Sequence, residues 1–487
     1  MGKTTGFKEY LRELPEKRPV AERIRDYREI YLPFPAEKLV RQAARCMDCG
    51  VPTCHSGCPL GNLIPDWNDQ VYQGRWRAAI DLLHRTNNFP EFTGRLCPAP
   101  CEEACVLAVN EPAVTIELIE KEIIEHAFEQ GWIVPEPPER RTGKTVAVVG
   151  SGPAGLACAQ QLNRAGHRVT VFERDDRLGG LLRYGIPDYK MDKAIIDRRL
   201  SILAAEGIRF ETGVHVGVDL GPEELAPFDA VVLCSGAGLG REMAVPGREL
   251  DGVHQAMAYL PLQNRRVAGD DPDGGITARG KRVVVLGGGD TSADCIGNCI
   301  REGAARVRNF IKYPEPPEGR PDGQPWPYWS DRLRTTPAHE EGCDRHWSLM
   351  ATAFLGQGGR VTGVRTVDMA VSGIRENGKP RMAGVPGTER DWPADLVLLA
   401  IGFTGPEIGT VVGQYNLALD GQGRIRVDDH FMTSRPGVFA AGDAHLGASL
   451  IVWAIAEGRE AARGVDRYLM GRSLLPTKGE GDLPGPA

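Results

Sequence analysis

Seven of the chain's 12 cysteines fall within its first quarter, and their spacing is the strongest chemical signal in the sequence. They follow C-x2-C-x4-C-x3-C-P and then C-P-x2-C-x3-C. Thiols clustered in this way, in a long chain that starts without a signal peptide, indicate metal binding rather than a disulfide scaffold. The seven residues are Cys46, Cys49, Cys54, Cys58, Cys97, Cys101 and Cys105.

Iron-sulfur clusters are the chemistry that this spacing favours, with one or two structural zinc sites as the alternative. A close run ending in Cys-Pro is typical of ferredoxins, in which the last Cys reaches a second cluster. Cys46, Cys49 and Cys54 are therefore expected to begin one cluster, and Cys58 to belong to the other. Two cubane clusters need eight ligands, so another residue supplies the eighth or one cluster is incomplete. Glu120, in a helical run, is the candidate, with an ordinary exposed glutamate as the alternative.

A glycine-rich loop between a strand and a helix predicts a dinucleotide site. An apolar strand over 145–149 runs into G-x-G-x-x-G, and a helix over 156–165 follows. The glycines permit a tight turn, let a pyrophosphate approach the backbone and allow close helix packing. The next strand ends at Glu173, whose carboxylate can accept from ribose hydroxyls. The loop residues predicted to bind are Gly150, Gly152, Pro153, Ala154 and Gly155.

A second loop of this kind predicts a second nucleotide. Ser292 occupies its third small position, which we expect to loosen the helix packing slightly. The following strand ends without an acid, and Arg306, Arg308 and Lys312 surround the point where a ribose carboxylate would sit. This charge favours an NADP 2′-phosphate, unless the residues are solvated surface charges. The loop residues predicted to bind are Gly287, Gly289, Asp290 and Thr291.

One bound flavin and one exchanging nicotinamide are the natural occupants of two such sites. The flavin is assigned to the first because Gly179, Gly180 and Leu181 follow Glu173 closely. A late Gly442-Asp443 pair also follows a strand, as expected for a segment that returns to bind the ribityl chain and flavin phosphate. The FAD domain is therefore predicted to be discontinuous.

The elements that position these groups belong to an α/β protein. At roughly 150 residues per domain, the 487 residues suggest about three domains. The formal charge of 58 − 65 = −7 leaves no basic excess for nucleic acid. The apolar stretches fall short of the roughly 18 to 20 residues that a membrane-spanning helix needs. We expect a soluble, cytoplasmic protein without nucleic-acid or membrane partners.

Four segments are predicted, with the first boundary at a charged, Pro-rich linker over 135–143. They are a helical domain with the clustered cysteines over 1–142, the first segment of an FAD-binding domain over 143–255, an NAD(P)H-binding domain over 256–400, and the returning segment of the FAD-binding domain over 401–487. The region 312–347 is predicted to be a loop-rich insertion with seven Pro and three Trp, and its sequence carries no motif chemistry.

Six stretches of the sequence carry a recognisable pattern beyond the cysteines and the nucleotide loops. They are Gln42-Ala43-Ala44-Arg45-Cys46-Met47-Asp48-Cys49-Gly50-Val51-Pro52, Gly57-Cys58-Pro59-Leu60-Gly61-Asn62, residues 87–95, Cys97-Pro98-Ala99-Pro100-Cys101-Glu102, Pro325-Trp326-Pro327 and His339-Glu340-Glu341-Gly342-Cys343. These motifs resemble the small (beta) subunit family of glutamate synthase, and the resemblance extends over nearly the whole chain. The cysteine pattern and both nucleotide loops are also similar to the N-terminal half of dihydropyrimidine dehydrogenase.

The resemblance implies a helical domain with two [4Fe-4S] clusters, an FAD domain and an NAD(P)H domain. It also implies two ligand sets, Cys46, Cys49, Cys54 and Cys105 for one cluster, and Cys58, Cys97, Cys101 and Glu120 for the other. Many relatives carry Tyr-Arg-Arg where this chain has Ile311-Lys312-Tyr313. The choice between NADPH and NADH therefore stays open, with NADPH expected.

The implied activity is electron input to glutamate synthase, with hydride transfer from NAD(P)H to FAD. This transfer needs no general acid or base, and no catalytic side chain is predicted. Electrons are expected to pass through the clusters to the large (alpha) subunit, where 2-iminoglutarate is reduced to L-glutamate. One alternative is an NAD(P)H-oxidising subunit that serves ferredoxin or another flavoprotein. Others are a disulfide reductase, for which the sequence shows no reactive Cys pair, and a zinc-holding scaffold.

Overall fold

The computed structural model describes residues 2–270, 275–374 and 380–478. Residue 1 of the predicted helical domain, 271–274 and 375–379 of the predicted NAD(P)H domain, and 479–487 of the last predicted segment lie outside them. The helices are α1 (Gly6–Glu9), α2 (Val20–Arg23), α3 (Ala36–Ala43), α4 (Thr53–Gly57), α5 (Ile64–Tyr72), α6 (Trp76–Thr86), α7 (Pro90–Leu96), α8 (Pro100–Glu103), a 3-10 turn (Val106–Val109), α9 (Ile116–Glu129), α10 (Pro153–Arg164), α11 (Leu181–Tyr184), α12 (Lys193–Ala205), α13 (Pro222–Leu225), α14 (Ala256–Val267), α15 (Asp290–Arg301), α16 (Pro337–Glu340), α17 (Val411–Gln414), α18 (Asp443–Leu446) and α19 (Ile451–Met470). The strands are β1 (Thr145–Val149), β2 (Arg168–Glu173), β3 (Arg209–Thr212), β4 (Ala230–Leu233), β5 (Leu239–Gly240), β6 (Val253–Gln255), β7 (Arg282–Leu286), β8 (Arg306–Phe310), β9 (Cys343–His346), β10 (Leu349–Gln357), β11 (Arg360–Ile374), β12 (Pro380–Gly384), β13 (Arg390–Pro393), β14 (Leu396–Leu399), β15 (Phe403–Gly405) and β16 (Val438–Ala440).

The helical region, residues 2–142, packs short helices around an apolar core. Trp67, Phe89 and Phe92 are completely buried there. In α6 the apolar residues recur on one face, so that Ile80 and Leu83 point into the core while the polar face meets solvent. The extended segments between these short helices carry most of the cysteines.

The first Rossmann-like domain has a parallel sheet in the order β16-β4-β1-β2-β3. Every residue of β4 is buried, as expected for a parallel strand covered on both faces. Because β16 comes from the end of the chain and pairs with β4, the domain is discontinuous, as the sequence predicted.

The second Rossmann-like domain has a parallel sheet in the order β6-β14-β7-β8-β9. Its edge strand β6 lies before the predicted boundary at residue 256, and it pairs with β14 rather than joining the first sheet. The boundary therefore falls earlier than predicted, because a three-residue edge strand has too little pattern to be read from sequence. An antiparallel sheet of β10, β11, β12 and β13 is inserted between β9 and β14.

The helical region and the first domain share one continuous apolar core. Within it, α10 and α19 pack so closely that a Cβ on Gly458 would lie 2.2 Å from the carbonyl oxygen of Ala154. This packing holds α19 against α10, the helix that follows the first nucleotide loop. In the described part of the chain, no helix combines the length and apolar character needed to span a bilayer.

Candidate functional site

A large cavity lies between the two glycine-rich loops, at the carboxyl ends of both parallel sheets. Its volume is about 1150 Å³. This is larger than the roughly 300–1,000 Å³ usual for one small-molecule site, so two ligands can lie side by side. Of the predicted site residues, those that line it are Gly150, Gly152, Pro153, Ala154, Glu173, Gly180, Leu181, Gly287, Gly289, Asp290, Thr291, Lys312 and Asp443.

The first loop is shaped by glycines that no other residue can replace. Gly150 has φ +101°, and a Cβ there would lie 2.4 Å from the carbonyl oxygen of Cys234. A Cβ on Gly155 would lie 1.9 Å from the carbonyl oxygen of Gly150. Around Gly152, by contrast, a Cβ would meet nothing within 4 Å. The turn is therefore closed on the protein side and open on the cavity side, as a pyrophosphate cradle requires.

Glu173 is held at the end of β2 by the same loop. Its carboxylate accepts hydrogen bonds from the Ser151 backbone N–H at 3.0 Å and the Ser151 hydroxyl at 2.6 Å. The Ser151 oxygen accepts in turn from the Gly179 N–H at 2.9 Å. Gly179 and Glu173 are thus connected through one serine, a role that the sequence pattern did not indicate.

The late Gly442-Asp443 pair lies against the start of α10. A Cβ on Gly442, which has φ +69°, would lie 2.7 Å from Ala154 Cβ. Burial raises the pKa of Asp443 to about 6. The Gly442 N–H donates to the Glu457 carboxylate at 3.1 Å, and burial raises the pKa of Glu457 to about 8. Glu457 lies in α19, where helical periodicity gave no functional signal.

The second loop has the same geometry. Gly287 has φ +128°, and a Cβ there would lie 2.1 Å from the carbonyl oxygen of Ala400. The expectation that Ser292 loosens the packing is wrong. Its hydroxyl donates to the Gly287 carbonyl at 2.9 Å and accepts from Asn309 at 3.0 Å, which ties the helix to the loop.

Arg306 requires a correction. It begins β8 and pairs with Asp344 at 2.7 Å on the surface, and Arg308 lies 5.5 Å from the Trp392 ring. Nucleotides bind at the carboxyl ends of parallel strands, whereas Arg306 lies at the amino end of β8. Of the three predicted basic residues, only Lys312 lines the cavity.

The seven cysteines and Glu120 separate into two sets in space. In the first set, which we call the distal set, Cys46, Cys49 and Cys54 interact electrostatically with Cys105. Burial and these neighbouring thiols raise the pKa of Cys46 to about 12. Cys105 is remote in sequence from the other three members, so the fold rather than local spacing completes the set.

The second set, which we call the proximal set, consists of Cys58, Cys97, Cys101 and Glu120 around a small cavity. Burial raises the pKa of Cys58 to about 11 and the pKa values of Cys97 and Cys101 well above their usual range. Thiols in such surroundings stay protonated unless a metal takes the place of the proton.

Glu120 is buried, with 6% of its surface exposed, and is not an ordinary surface residue. Its carboxylate accepts hydrogen bonds from Asn62 and Asn87, each at 3.1 Å, and from the Thr93 hydroxyl. Burial raises its pKa to about 7. The exposed-glutamate alternative is therefore wrong.

A site for a single metal ion groups its ligands more tightly than a cluster site does. Among the described residues, no three His, Cys, Asp or Glu side chains are grouped so that they could surround one metal ion. A cubane cluster has a different requirement, because each of its four ligands binds a different iron atom.

The proximal set adjoins the large cavity. Leu96 and Pro98, on either side of Cys97, line the large cavity, and Val452 lines the small one. The neighbouring Ile451 lines the large cavity, so α19 forms a common wall. Sequence reasoning missed this wall because its residues are ordinary apolar ones.

Two buried cysteines in the first domain also went unrecognised. The buried thiols of Cys158 and Cys234 interact with each other, and Cys234 lines the large cavity. Their contact raises the pKa of Cys158 well above its usual range. A thiol with a raised pKa is a poor nucleophile, so Cys158 is unsuited to the nucleophilic step of a disulfide reductase.

Two family descriptions match this chain. A "dihydropyrimidine dehydrogenase domain II, 4Fe-4S cluster" model matches residues 23–132. A "pyridine nucleotide-disulphide oxidoreductase" model matches residues 144–458, more than half of the chain.

Similar proteins include the glutamate synthase [NADPH] small chain of Mycobacterium tuberculosis, 56% identical over 97% of both chains. Glutamate synthase [NADH] of Schizosaccharomyces pombe is 44% identical, over 99% of this chain and 23% of that protein. Among solved structures, Mycobacterium tuberculosis FprA in complex with NADPH has a TM-score of 0.54 at 19% identity, covering 68% of this chain and 85% of that one. At that identity the likeness concerns the fold alone.

Proposed function

This chain belongs to the family of glutamate synthase small chains, and on that premise we propose which of its residues carry electrons from NADPH to a separate large subunit. It is an NADPH-dependent oxidoreductase with FAD and iron-sulfur centres. When bound, FAD takes a hydride from the nicotinamide and releases electrons one at a time to iron-sulfur centres. The chain's own residues bind, orient and separate these groups.

We assign FAD to the first loop and NADPH to the second. The open face at Gly152, the carboxylate of Glu173 and the position of Asp443 on the cavity wall fit a dinucleotide that extends across this domain. Lys312 faces the second loop and supplies the positive charge for a 2′-phosphate. NADPH is therefore the expected donor, with NADH as the weaker one.

Two [4Fe-4S] clusters are proposed, one on the distal set and one on the proximal set. The observation that carries this assignment is the separation of eight candidate ligands into two groups of four. The shared wall at Leu96, Pro98 and α19 supports a position for the proximal cluster next to the flavin. Electrons are accordingly expected to leave by the proximal set first and the distal set second.

The partner is proposed to be a glutamate synthase large subunit in the cytoplasm, where 2-iminoglutarate is reduced to L-glutamate. The Schizosaccharomyces pombe relative supports a partner of this kind, because this chain corresponds to only 23% of that protein. Capture of the large subunit by the tagged small chain would support this partner. Capture of a ferredoxin or another flavoprotein instead would favour the alternative acceptor.

Metal and flavin analysis of anaerobically purified protein tests the cofactor assignment. We expect about eight iron atoms and one FAD per chain, with the visible spectrum bleached by NADPH. Cys54→Ser and Cys101→Ser should each lose about four iron atoms, whereas Cys343→Ser, a thiol outside both sets, should keep all of them. Zinc in place of iron, or Cys343→Ser losing as much iron as the other variants, would contradict the assignment.

A further inference from the structure

The Pro- and Trp-rich insertion, residues 312–347, extends from the second domain onto the helical region. It starts at the large cavity, where Lys312 and Tyr313 are wall residues. Its middle portion lies against the turn that follows α8. The insertion thus connects the predicted NADPH site with the segment that carries Cys101 and Cys105.

Two hydrogen bonds join the insertion to the backbone of this turn. The Trp326 indole N–H donates to the carbonyl oxygen of Cys105 at 3.1 Å. The Arg320 guanidinium donates to the carbonyl oxygen of Glu103 at 3.4 Å. The insertion therefore holds the main chain on which a distal ligand sits.

A buried carboxylate completes the contact. The Glu103 side chain is only 8% exposed, and it pairs with Arg320 at 3.0 Å, Arg332 at 2.5 Å and Arg334 at 3.2 Å. Ser330 donates a further hydrogen bond to Glu103 at 3.1 Å. We call the four charged residues the Glu103 hub. Three positive charges on one negative charge leave a net charge of +2 on the hub. Asp331, which interacts electrostatically with Arg334, reduces the excess to +1.

The segment made of α8 and this turn supplies one ligand to each set, because Cys101 in α8 belongs to the proximal set and Cys105 after it to the distal set. Glu103 lies midway between them in sequence. Net charge and hydrogen bonding are among the factors that set the reduction potential of an iron-sulfur cluster. A reduced cluster carries one more negative charge, so nearby positive charge favours the reduced form.

We propose that the insertion positions the segment from Cys101 to Cys105, and that the excess positive charge of the Glu103 hub raises the reduction potential of the cluster beside it. The proposal rests on the two-cluster assignment above. The hub residues are positioning residues, since they touch the turn and not the reacting atoms. Pro325-Trp326-Pro327, a motif without chemistry in the sequence, thereby has a role.

Charge variants of the full-length, iron-loaded protein test the electrostatic component. Arg332 is 47% exposed at its side chain, so its substitution is tolerated sterically. Arg332→Gln should lower the equilibrium constant for cluster reduction about three- to tenfold, and Glu103→Gln should raise it by a similar factor. Arg332→Lys keeps the charge and should stay near wild type. The readout is a redox titration followed by electron paramagnetic resonance.

A matched pair of tryptophan variants tests the positioning component. Trp326→Phe removes the donor to Cys105 and should change the line shape of a cluster signal. Trp329→Phe makes the same chemical change nearby, keeps an aromatic face for the stacked Arg334, and should leave the signal unchanged. NADPH bleaching of the flavin should be the same in both variants.

The electrostatic component would be overturned if Arg332→Gln and Glu103→Gln shifted the reduction potential in the same direction, or if neither variant shifted it. If Glu103→Gln fails to load iron, the comparison of Arg332→Gln with Arg332→Lys tests the electrostatic component instead. Equal signals from both tryptophan variants would overturn the positioning component. Failure of the underlying assignment is distinguishable, because wild type itself would then show no pair of cluster signals.

Discussion

The ion pair between Glu91 and Arg199 joins the helical region to the first Rossmann-like domain, and its removal has a predictable cost. Arg199 on α12 donates to the Glu91 carboxylate at 2.5 and 3.0 Å. The side chains of Arg199 and Glu91 are 2% and 0% exposed. Glu91 lies at the start of α7, which leads directly to Cys97. We expect Glu91→Met to weaken the junction beside the proximal set.

Removing one partner leaves the other charge buried and unpaired, and this should lower the free energy of unfolding by about 3–5 kcal/mol. Arg199→Met leaves the opposite charge unpaired and should cost a similar amount. The double variant Glu91→Met/Arg199→Met removes both charges and fills the space, so it should lie near wild type. The coupling free energy in this double-mutant cycle is the sum of the two single costs, and is therefore expected to be about 6 kcal/mol or more.

The assay is thermal unfolding of the iron-loaded protein, followed by loss of its visible absorbance. At about 2–4 °C per kcal/mol, each single variant should unfold roughly 6 °C or more below wild type. Single variants that unfold within about 2 °C of wild type, or a double variant whose loss equals the sum of the two, would refute this reasoning.

Three further predictions concern the site itself. Glu120→Ala should lose about four iron atoms while Glu120→Gln retains them, and equal iron in both variants would remove Glu120 from the ligand set. Lys312→Glu should lower kcat/KM for NADPH about 10- to 100-fold, from a lost charged hydrogen bond of about 1.5–3 kcal/mol, and leave NADH nearly unchanged in steady-state assays. Arg306→Ala should change the kcat/KM for neither NADPH nor NADH. Burial raises the pKa of Glu457 to about 8 in the folded, FAD-free protein. In the unfolded chain the same carboxyl group loses its proton near the ordinary carboxyl pKa. Between these two pH values the folded protein therefore holds one more proton than the unfolded chain. The thermal midpoint of the FAD-free protein should therefore fall as the pH rises from the ordinary carboxyl pKa to about 8. Glu457→Gln should flatten this pH dependence.

Local patterns predicted the nucleotide loops well because each loop is made by residues adjacent in sequence. Gly150 and Gly287 have positive φ at the ends of buried strands, and no distant contact is needed to recognise them. The prediction that Arg306 binds the nucleotide was wrong for a geometric reason. At about 3.3 Å per strand residue, it lies about 13 Å from the carboxyl end of β8, although the sequence separation is small.

The cluster site needed more than spacing. Cys46, Cys49 and Cys54 are neighbours in sequence, but Cys105 joins them only through the packing of the helical region. Similarly, the burial of Glu120 depends on Asn62, Asn87 and Thr93 from three other segments. The resemblance to a family supplied this non-local information, and the contacts of the insertion lay beyond both sources.

The domain junctions differ in chemistry, and the difference fits the flow of electrons. The helical region and the first domain share one apolar core, which contains members of both cysteine sets. The apolar cores of the second domain include no residue of 2–142. Its contacts with the helical region are instead polar, as in the Glu103 hub and in buried Glu341, which pairs with Arg23 at 2.7 Å. Apolar packing suits the junction across which bound centres must keep a fixed separation. Ion pairs at the junction with the second domain specify one orientation through the geometry of the charged partners, without a shared apolar core.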